Sequence, residues 1–181
     1  MKTVAIVQAR MESTRFPNKV MSIINFKPLI ELLLTRLSSS KTIDQVVLAT
    51  YLSEVNKPLI NHVKKLGYHV HLGSKNDVLD RYYNAALEVN ATEIVRITGD
   101  CPLIDSEVVD DVVNLFHFKK VDFATNASPP SFPDGLDVSI FTFKALEVAW
   151  KEAKHLFDRE HVTPYIKKSN LFATANLLSS I

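Results

Sequence analysis

Arg10, Ser13, Thr14, Arg15 and Lys19 crowd three cations and two hydroxyls into one short loop. The loop follows directly on an apolar run at residues 4–7, and a helical pattern begins near Pro28. A buried-type strand that feeds such a loop and then a helix is suited to hold a polyphosphate. Guanidinium forks match phosphate oxygens two at a time, and an ammonium adds a mobile point charge. The loop has no G-x-x-x-x-G-K-[ST] pattern and no glycine, so it is neither a Walker A loop nor a dinucleotide fingerprint. The plainer reading is a solvated loop with surface cations; the spacing behind a strand favours the phosphate reading.

Asp100 is the sharpest acidic candidate. Gly99 permits a close backbone approach, and Pro102 keeps the following loop from rejoining a sheet. A carboxylate at a strand tip facing cations is placed to hold a divalent metal on a nucleotide phosphate, since Mg²⁺ commonly takes one or two carboxylates plus phosphate oxygens. The competing role, capping the helix that starts near 105, suits Asp105 or Ser106 better. Asp137 is the partner candidate on a short strand, with Asp134 as its competitor, although Asp-Gly more often marks a turn. Ser13 and Thr14 either donate to phosphate or stabilise their own turn. Asp77, Asp80 and Arg81 suit a helix with acids in its first turn. His69 and His71 read as a surface pair on a strand.

These residues need positioning elements, and the pattern supplies them. Strand-like runs at 3–9, 45–50, 69–71, 93–98 and 122–125 alternate with helical patterns at 28–38, 54–66, 76–90 and 105–118. A short strand at 136–141 follows the proline-rich stretch 126–134, then helices at 143–156 and 159–168. Continuous Val/Ile runs fit a parallel sheet covered on both faces. The expected fold class is therefore α/β: a Rossmann-like, doubly wound, mostly parallel sheet in a single domain spanning 1–181. In such sheets ligands bind at the carboxyl ends of the strands, where the 8–19 loop and Gly99-Asp100 both fall.

With 181 residues, 21 Lys+Arg and 20 Asp+Glu, the chain is large enough for one core and nearly neutral. That excludes a nucleic-acid coat or membrane-surface binder, and a local cationic loop then fits a small anionic ligand. The single Cys101 excludes an internal disulfide and fits a reducing compartment. With no apolar stretch of about 20 residues and no signal-peptide pattern, a cytoplasmic location is expected.

Five segments, in order, carry a family resemblance: QARMESTRFPNKVM (8–21), Gly73-Ser74 with DVLDRY (77–82), RITGDCPLID (96–105), DGLDV (134–138) and REHVTPYI (159–166). Together they resemble the cytidylyltransferases that activate acidic sugars, most closely the branch named for a spore coat polysaccharide biosynthesis protein, related to the acylneuraminate cytidylyltransferases. The resemblance implies the nucleotide-diphospho-sugar transferase type of fold. It also implies transfer of CMP from CTP to a sialic-like or other nonulosonic sugar acid, with pyrophosphate release, Mg²⁺ as cofactor and a role in surface polysaccharide synthesis. Arg10 and Arg15 would clamp the β- and γ-phosphates, with Lys19 on the triphosphate and Gln8 and Ala9 beside the nucleoside. Thr50, Ser74 and Arg81 would read the base. Asp100 and Asp137 would hold the metal, and Arg159, Glu160 and His161 would lie by the sugar acid, Arg159 pairing with its carboxylate. CTP and the sugar acid are the expected partners, and a homodimer is compatible.

The chain departs from the family pattern at three positions. Glu12 and Asn18 stand where glycines are usual, and Ser139 where an acid is common. Glu12 brings negative charge toward the phosphates and must turn outward. Asn18 tolerates positive φ. Family members also continue beyond residue 166 for longer than this chain does. Two rival readings remain: a nucleotide-binding relative without turnover, and a glycosyltransferase of related fold, although Gly99-Asp100-Cys101 lacks the D-x-D pattern of the latter.

Overall fold

A computed structural model describes residues 1–13 and 16–179. One seven-stranded sheet runs in the order β5-β4-β1-β6-β8-β7-β9. Its strands are β1 (Thr3–Gln8), β4 (Gln45–Thr50), β5 (His69–Leu72), β6 (Glu93–Thr98), β7 (Phe123–Thr125), β8 (Ser139–Thr142) and β9 (Thr174–Asn176). β5, β4, β1 and β6 are parallel, whereas β8 runs antiparallel to both β6 and β7. The α/β class and mostly parallel sheet expected from the sequence are therefore present.

The chain lays α1 (Leu29–Leu37), α2 (Lys57–Lys65) and α4 (Ser106–Lys119) on one face. On the other it lays α3 (Val78–Glu88), α5 (Phe143–Glu152), α6 (Leu156–His161) and α7 (Pro164–Lys168). The alternation of side chains across a strand divides β1 between two cores. Ala5 and Val7 pack under the first layer, Val4 and Ile6 under the second. After β1 the chain winds outward to β4 and β5, then returns past β1 to β6. The winding reverses between β1 and β6, which opens a crevice at their tips.

Several boundaries differ from the sequence expectation for local reasons. α2 starts at Lys57 rather than 54 because Pro58 sits in its first turn, where a missing N–H costs nothing. The expected helix over 159–168 is two helices. Val162 takes φ 69° and closes α6, and Pro164 opens α7. The expected strand at 136–141 begins only at Ser139, so Asp137 lies in the exposed loop before it. A two-stranded ribbon, β2 (Ile23–Ile24) with β3 (Lys27–Pro28), was not foreseen. Its turn residues Asn25 and Phe26 both have positive φ, the geometry of a tight two-residue hairpin that usually advertises itself with Asn-Gly.

Candidate functional site

A cleft of about 610 Å³ opens over the tips of β1 and β6. Its wall combines Gln8, Ala9, Arg10, Ser13 and Lys19 from the first loop with Thr98, Gly99 and Asp100 from β6. Lys75 and Arg81 reach in from the β5–α3 side, and Glu160 and His161 from the end of α6. That size lies within the range of about 300–1,000 Å³ for small-molecule sites.

Backbone geometry brings the two strand tips together. The Gly99 N–H donates to the Gln8 carbonyl at 2.8 Å. A Cβ on Gly99 would lie 2.5 Å from the Ala9 Cβ, so only glycine allows this approach. Asn18 adopts φ 61° and turns the chain into a short 3₁₀ helix, Lys19–Met21. From there Lys19 Nζ reaches Asp100 Oδ2 at 3.1 Å. The cationic loop and the acidic strand tip are thus in direct contact. Partial burial pushes the Asp100 carboxyl up, but the Lys19 and Thr98 hydrogen bonds outweigh it and hold the group below its ordinary range. Asp105, not Asp100, caps α4, accepting from the Glu107 N–H at 2.8 Å. Thr14 and Arg15 lie outside the described residues. Ser13 lines the cleft while its hydroxyl accepts from the Phe16 N–H at 3.3 Å, so it also serves its own turn.

Glu12 is bound rather than turned away. Its carboxylate accepts from the Tyr51 hydroxyl at 2.7 Å and pairs with Lys75 Nζ at 2.8 Å. These contacts hold its carboxyl below the ordinary range, the Lys75 hydrogen bond having the largest effect. Lys75, which sequence reasoning missed, therefore neutralises the negative charge that the loop carries. The Tyr51 ring lies under both Lys75, 5.3 Å from its centroid, and Arg81, 5.9 Å away.

Other expected contacts fall outside the cleft wall. Thr50 is fully buried, and its hydroxyl has no partner among the described residues. Ser74 works at one remove. Its carbonyl accepts from Arg81 Nη1 at 2.6 Å and its hydroxyl from the Asp77 N–H at 3.1 Å. Arg159 was expected to meet a substrate carboxylate, but its guanidinium is committed within the protein. Nε and Nη2 donate to Asp77 Oδ2 at 2.9 and 2.6 Å, and Nη1 to the Trp150 carbonyl at 2.6 Å. Asp77 in turn caps α3, accepting from the Asp80 N–H at 2.9 Å. Arg159 thus ties α6 to α3 and α5 and holds its neighbours Glu160 and His161 at the cleft. His69 and His71 share Glu88, and His71 is buried rather than on the surface.

Three polar atoms on the wall are buried with no partner among the described residues: Gln8 Oε1, Arg81 Nε and Arg96 Nε. Buried polar groups are nearly always hydrogen-bonded. Three orphans facing one cleft mark where a polar ligand would complete the bonding. Arg81 is almost completely buried, and burial pushes its guanidinium down from the ordinary value.

The donors available to a cation are hard oxygens. Asp100 is half-exposed at the tip, and burial pushes the neighbouring Cys101 thiol up, with Asp100, Asp137 and Asp134 adding to the rise. Of the three, only Asp100 lines the cleft; Asp134 and Asp137 are exposed on the loop before β8. No group of three or more His, Cys, Asp or Glu forms a complete cation cage among the described residues. One or two carboxylates awaiting phosphate oxygens fit Mg²⁺, which rarely uses an all-protein cage.

Residues 4–180 match the family model described as cytidylyltransferase. An uncharacterised protein of Methanocaldococcus jannaschii is 42% identical over 173 residues, covering 95% of this chain and 70% of that protein. The spore coat polysaccharide biosynthesis protein SpsF of Bacillus subtilis is 32% identical over 170 residues, 88% of this chain and 71% of its own length. A 3-deoxy-manno-octulosonate cytidylyltransferase of Geobacter sulfurreducens is 30% identical over 115 residues, 62% of this chain and 44% of its own. The solved structure of a cytidylyltransferase from Leptospira borgpetersenii superposes with a TM-score of 0.94 at 36% identity, covering 99% of this chain and 77% of that one. With the family model spanning residues 4–180 and the fold in agreement, this chain belongs to the cytidylyltransferase family.

Proposed function

We propose that the chain transfers CMP from CTP to a hydroxyl of a sugar acid and releases pyrophosphate, in the synthesis of a surface polysaccharide. The observation that carries this reading is the 3.1 Å contact between Lys19 and Asp100. An ammonium group and an acidic strand tip in contact at one cleft support a site for a phosphate and its charge partner. The acceptor oxygen attacks the α-phosphorus, a new P–O bond forms, and the bond to the β-phosphoryl oxygen breaks. Arg10 and Lys19, with Arg15 in the same loop, neutralise the departing pyrophosphate, so the protein contributes mainly positioning and charge stabilisation. The orphaned Gln8 and Arg81 atoms supply one acceptor and one donor for the nucleoside. Glu160 and His161 also line the cleft, and one of the two takes the acceptor's hydroxyl proton. Asp100, with Asp137, would hold Mg²⁺, which when bound screens the phosphate charge. The similarity to an SpsF and to a 3-deoxy-manno-octulosonate cytidylyltransferase supports the acidic acceptor.

The test is pyrophosphate release from each of the four nucleoside triphosphates, with Mg²⁺ and a panel of 2-keto sugar acids. Release with CTP and a sugar acid is expected. A preference for a purine nucleotide, or tight CTP binding with no release for any acid, would overturn the transferase reading.

A further inference from the structure

Arg96 is a charged residue in the middle of a buried strand. On either side of it, Val95 and Ile97 are fully buried. Carboxylates share its cleft, Asp100 at the β6 tip and Glu160 on α6, but neither forms an ion pair with Arg96 among the described residues. Its partner on β1 is Ile6, which is apolar. Its partner on β8 is Ser139, whose hydroxyl lies 3.1 Å from Thr125 Oγ1. From α3 comes Tyr82, whose hydroxyl donates to the Ile6 carbonyl at 3.0 Å. From α7 comes Lys167, a like charge: desolvation and the Arg96 guanidinium push its ammonium down, against the pull of Asp137. Arg96 has no ion pair among the described residues, and its buried Nε has no hydrogen-bond partner. Yet the side chain lines the cleft, together with Glu160 and His161.

We propose that Arg96 is the anchor for the carboxylate of the acceptor and so determines that the acceptor is an acid. A partly buried guanidinium whose Nε has lost water and gained no partner is stabilised when an anion arrives, and a two-oxygen planar anion matches its fork. A phosphate of the nucleotide is the less suitable occupant, because the triphosphate cations Arg10 and Lys19 stand on the β1 loop and the following 3₁₀ helix. Arg96 instead projects from β6 on the α3 face, the face that α6 and α7 cover. An acid held there by its carboxylate keeps its hydroxyls free to face the β1–β6 tips. This assignment rests on the transferase reading above, deepens it, and makes specificity a matter of one unpaired charge. A site built around such a charge rejects the uncharged analogue strongly.

The test uses the full chain with a 2-keto sugar acid and its carboxamide. Wild-type protein, Arg96→Met and Arg96→Lys are compared by pyrophosphate-release kinetics and by calorimetric titration of CTP and of the acid separately. Arg96→Met is expected to lower kcat/KM for the acid by about 100-fold or more. It should also bring the acid-to-amide ratio close to one and leave the CTP Kd unchanged. Arg96→Lys should recover part of the ratio, which separates charge from folding. An unchanged ratio in Arg96→Met, or a loss of CTP binding with the ratio intact, overturns the anchor. If wild type releases no pyrophosphate, acid binding decides. Binding that disappears in Arg96→Met supports the anchor while the transferase reading fails; binding that persists, or is absent from wild type, refutes it.

Discussion

Lys19 and Glu12 show how single side chains set the electrostatics of the cleft. Lys19 is held at the β6 tip by Asp100, and under the proposed function a phosphate would share or replace that partner. Removing a hydrogen bond to a charged group costs about 1.5–3 kcal/mol. Lys19→Ala is therefore expected to weaken CTP binding by about 10–100-fold in calorimetry; unchanged affinity would remove Lys19 from the triphosphate site. Glu12 acts in the other direction by occupying Lys75. Glu12→Gln frees that ammonium toward the cleft, and CTP affinity is expected to rise a few-fold at low salt and to converge with wild type at about 1 M salt, where the Debye length is about 3 Å. A fall in affinity would mean that the Glu12–Lys75 pair itself shapes the binding surface.

At the scale of elements, the site depends on two close approaches that the sequence marks only faintly. The first is the β1–β6 junction at Gly99. A methyl there meets the Ala9 Cβ and the Gln8 carbonyl, both on rigid strand ends, so backbone has to move. Gly99→Ala is expected to cut kcat/KM by about 100-fold, the order of loss that a 1 Å displacement of reacting groups produces; near-normal kinetics would show that the tips can separate without harm. The second is the clasp of Arg159 on Asp77 and Trp150, which docks α6 over α3. Asp80 extends it by accepting from Trp150 Nε1 at 2.8 Å, with the Tyr83 ring stacked on Trp150 at 4.1 Å. Both Arg159 and Asp77 are mostly shielded from water. Arg159→Ala is expected to lower stability by roughly 2 kcal/mol, read as a denaturation midpoint, and to loosen Glu160 and His161. If it left stability unchanged and raised only the acceptor KM, Arg159 would be a substrate contact after all.

For the whole molecule, the helices of each layer must stay in register on the sheet, and Asp110 is one fastening within the layer of α1, α2 and α4. From α4 it accepts from the Ser40 and Thr42 hydroxyls and from the backbone N–H groups of Lys41 and Thr42, in the loop that connects α1 to β4. Partial burial pushes its carboxyl up, but these hydrogen bonds outweigh it and lower it below the ordinary value. A carboxyl depressed in the folded state stabilises fully above its unfolded pKa of about 3.9 and loses that contribution as pH falls through the lower folded value. The stability difference between wild type and Asp110→Asn is therefore expected to be constant from about pH 5 to 8 and to shrink toward zero in stronger acid. A difference that grows in acid would contradict the assignment.

How much of this was legible beforehand depended on how local the cause was. The β1, β4 and β6 runs, the cationic loop and the Asp100 tip could be read because continuous apolar stretches, breakers and charge spacing are local signals. The β2–β3 ribbon was missed because its turn uses Asn25 and Phe26 at positive φ without a glycine. β9 was missed because its three residues gain strand form only by pairing with β7. Arg96 and Lys75 were not singled out because a lone cation within an apolar run or after a strand looks like any surface charge until its neighbours are known. Arg159 was read toward substrate for the converse reason, since Asp77 lies 82 residues away in the chain.

The amino-acid sequence by itself determined the layered α/β class, the strand tips over which the cleft opens and the resemblance to cytidylyltransferases, because periodicity and contiguous motifs encode these within short windows. Only the tertiary structure decided which charges are already satisfied and which still lack a partner. Partnership between side chains is set by distance in space, and the burial that makes an unpartnered group costly exists only once the layers have packed.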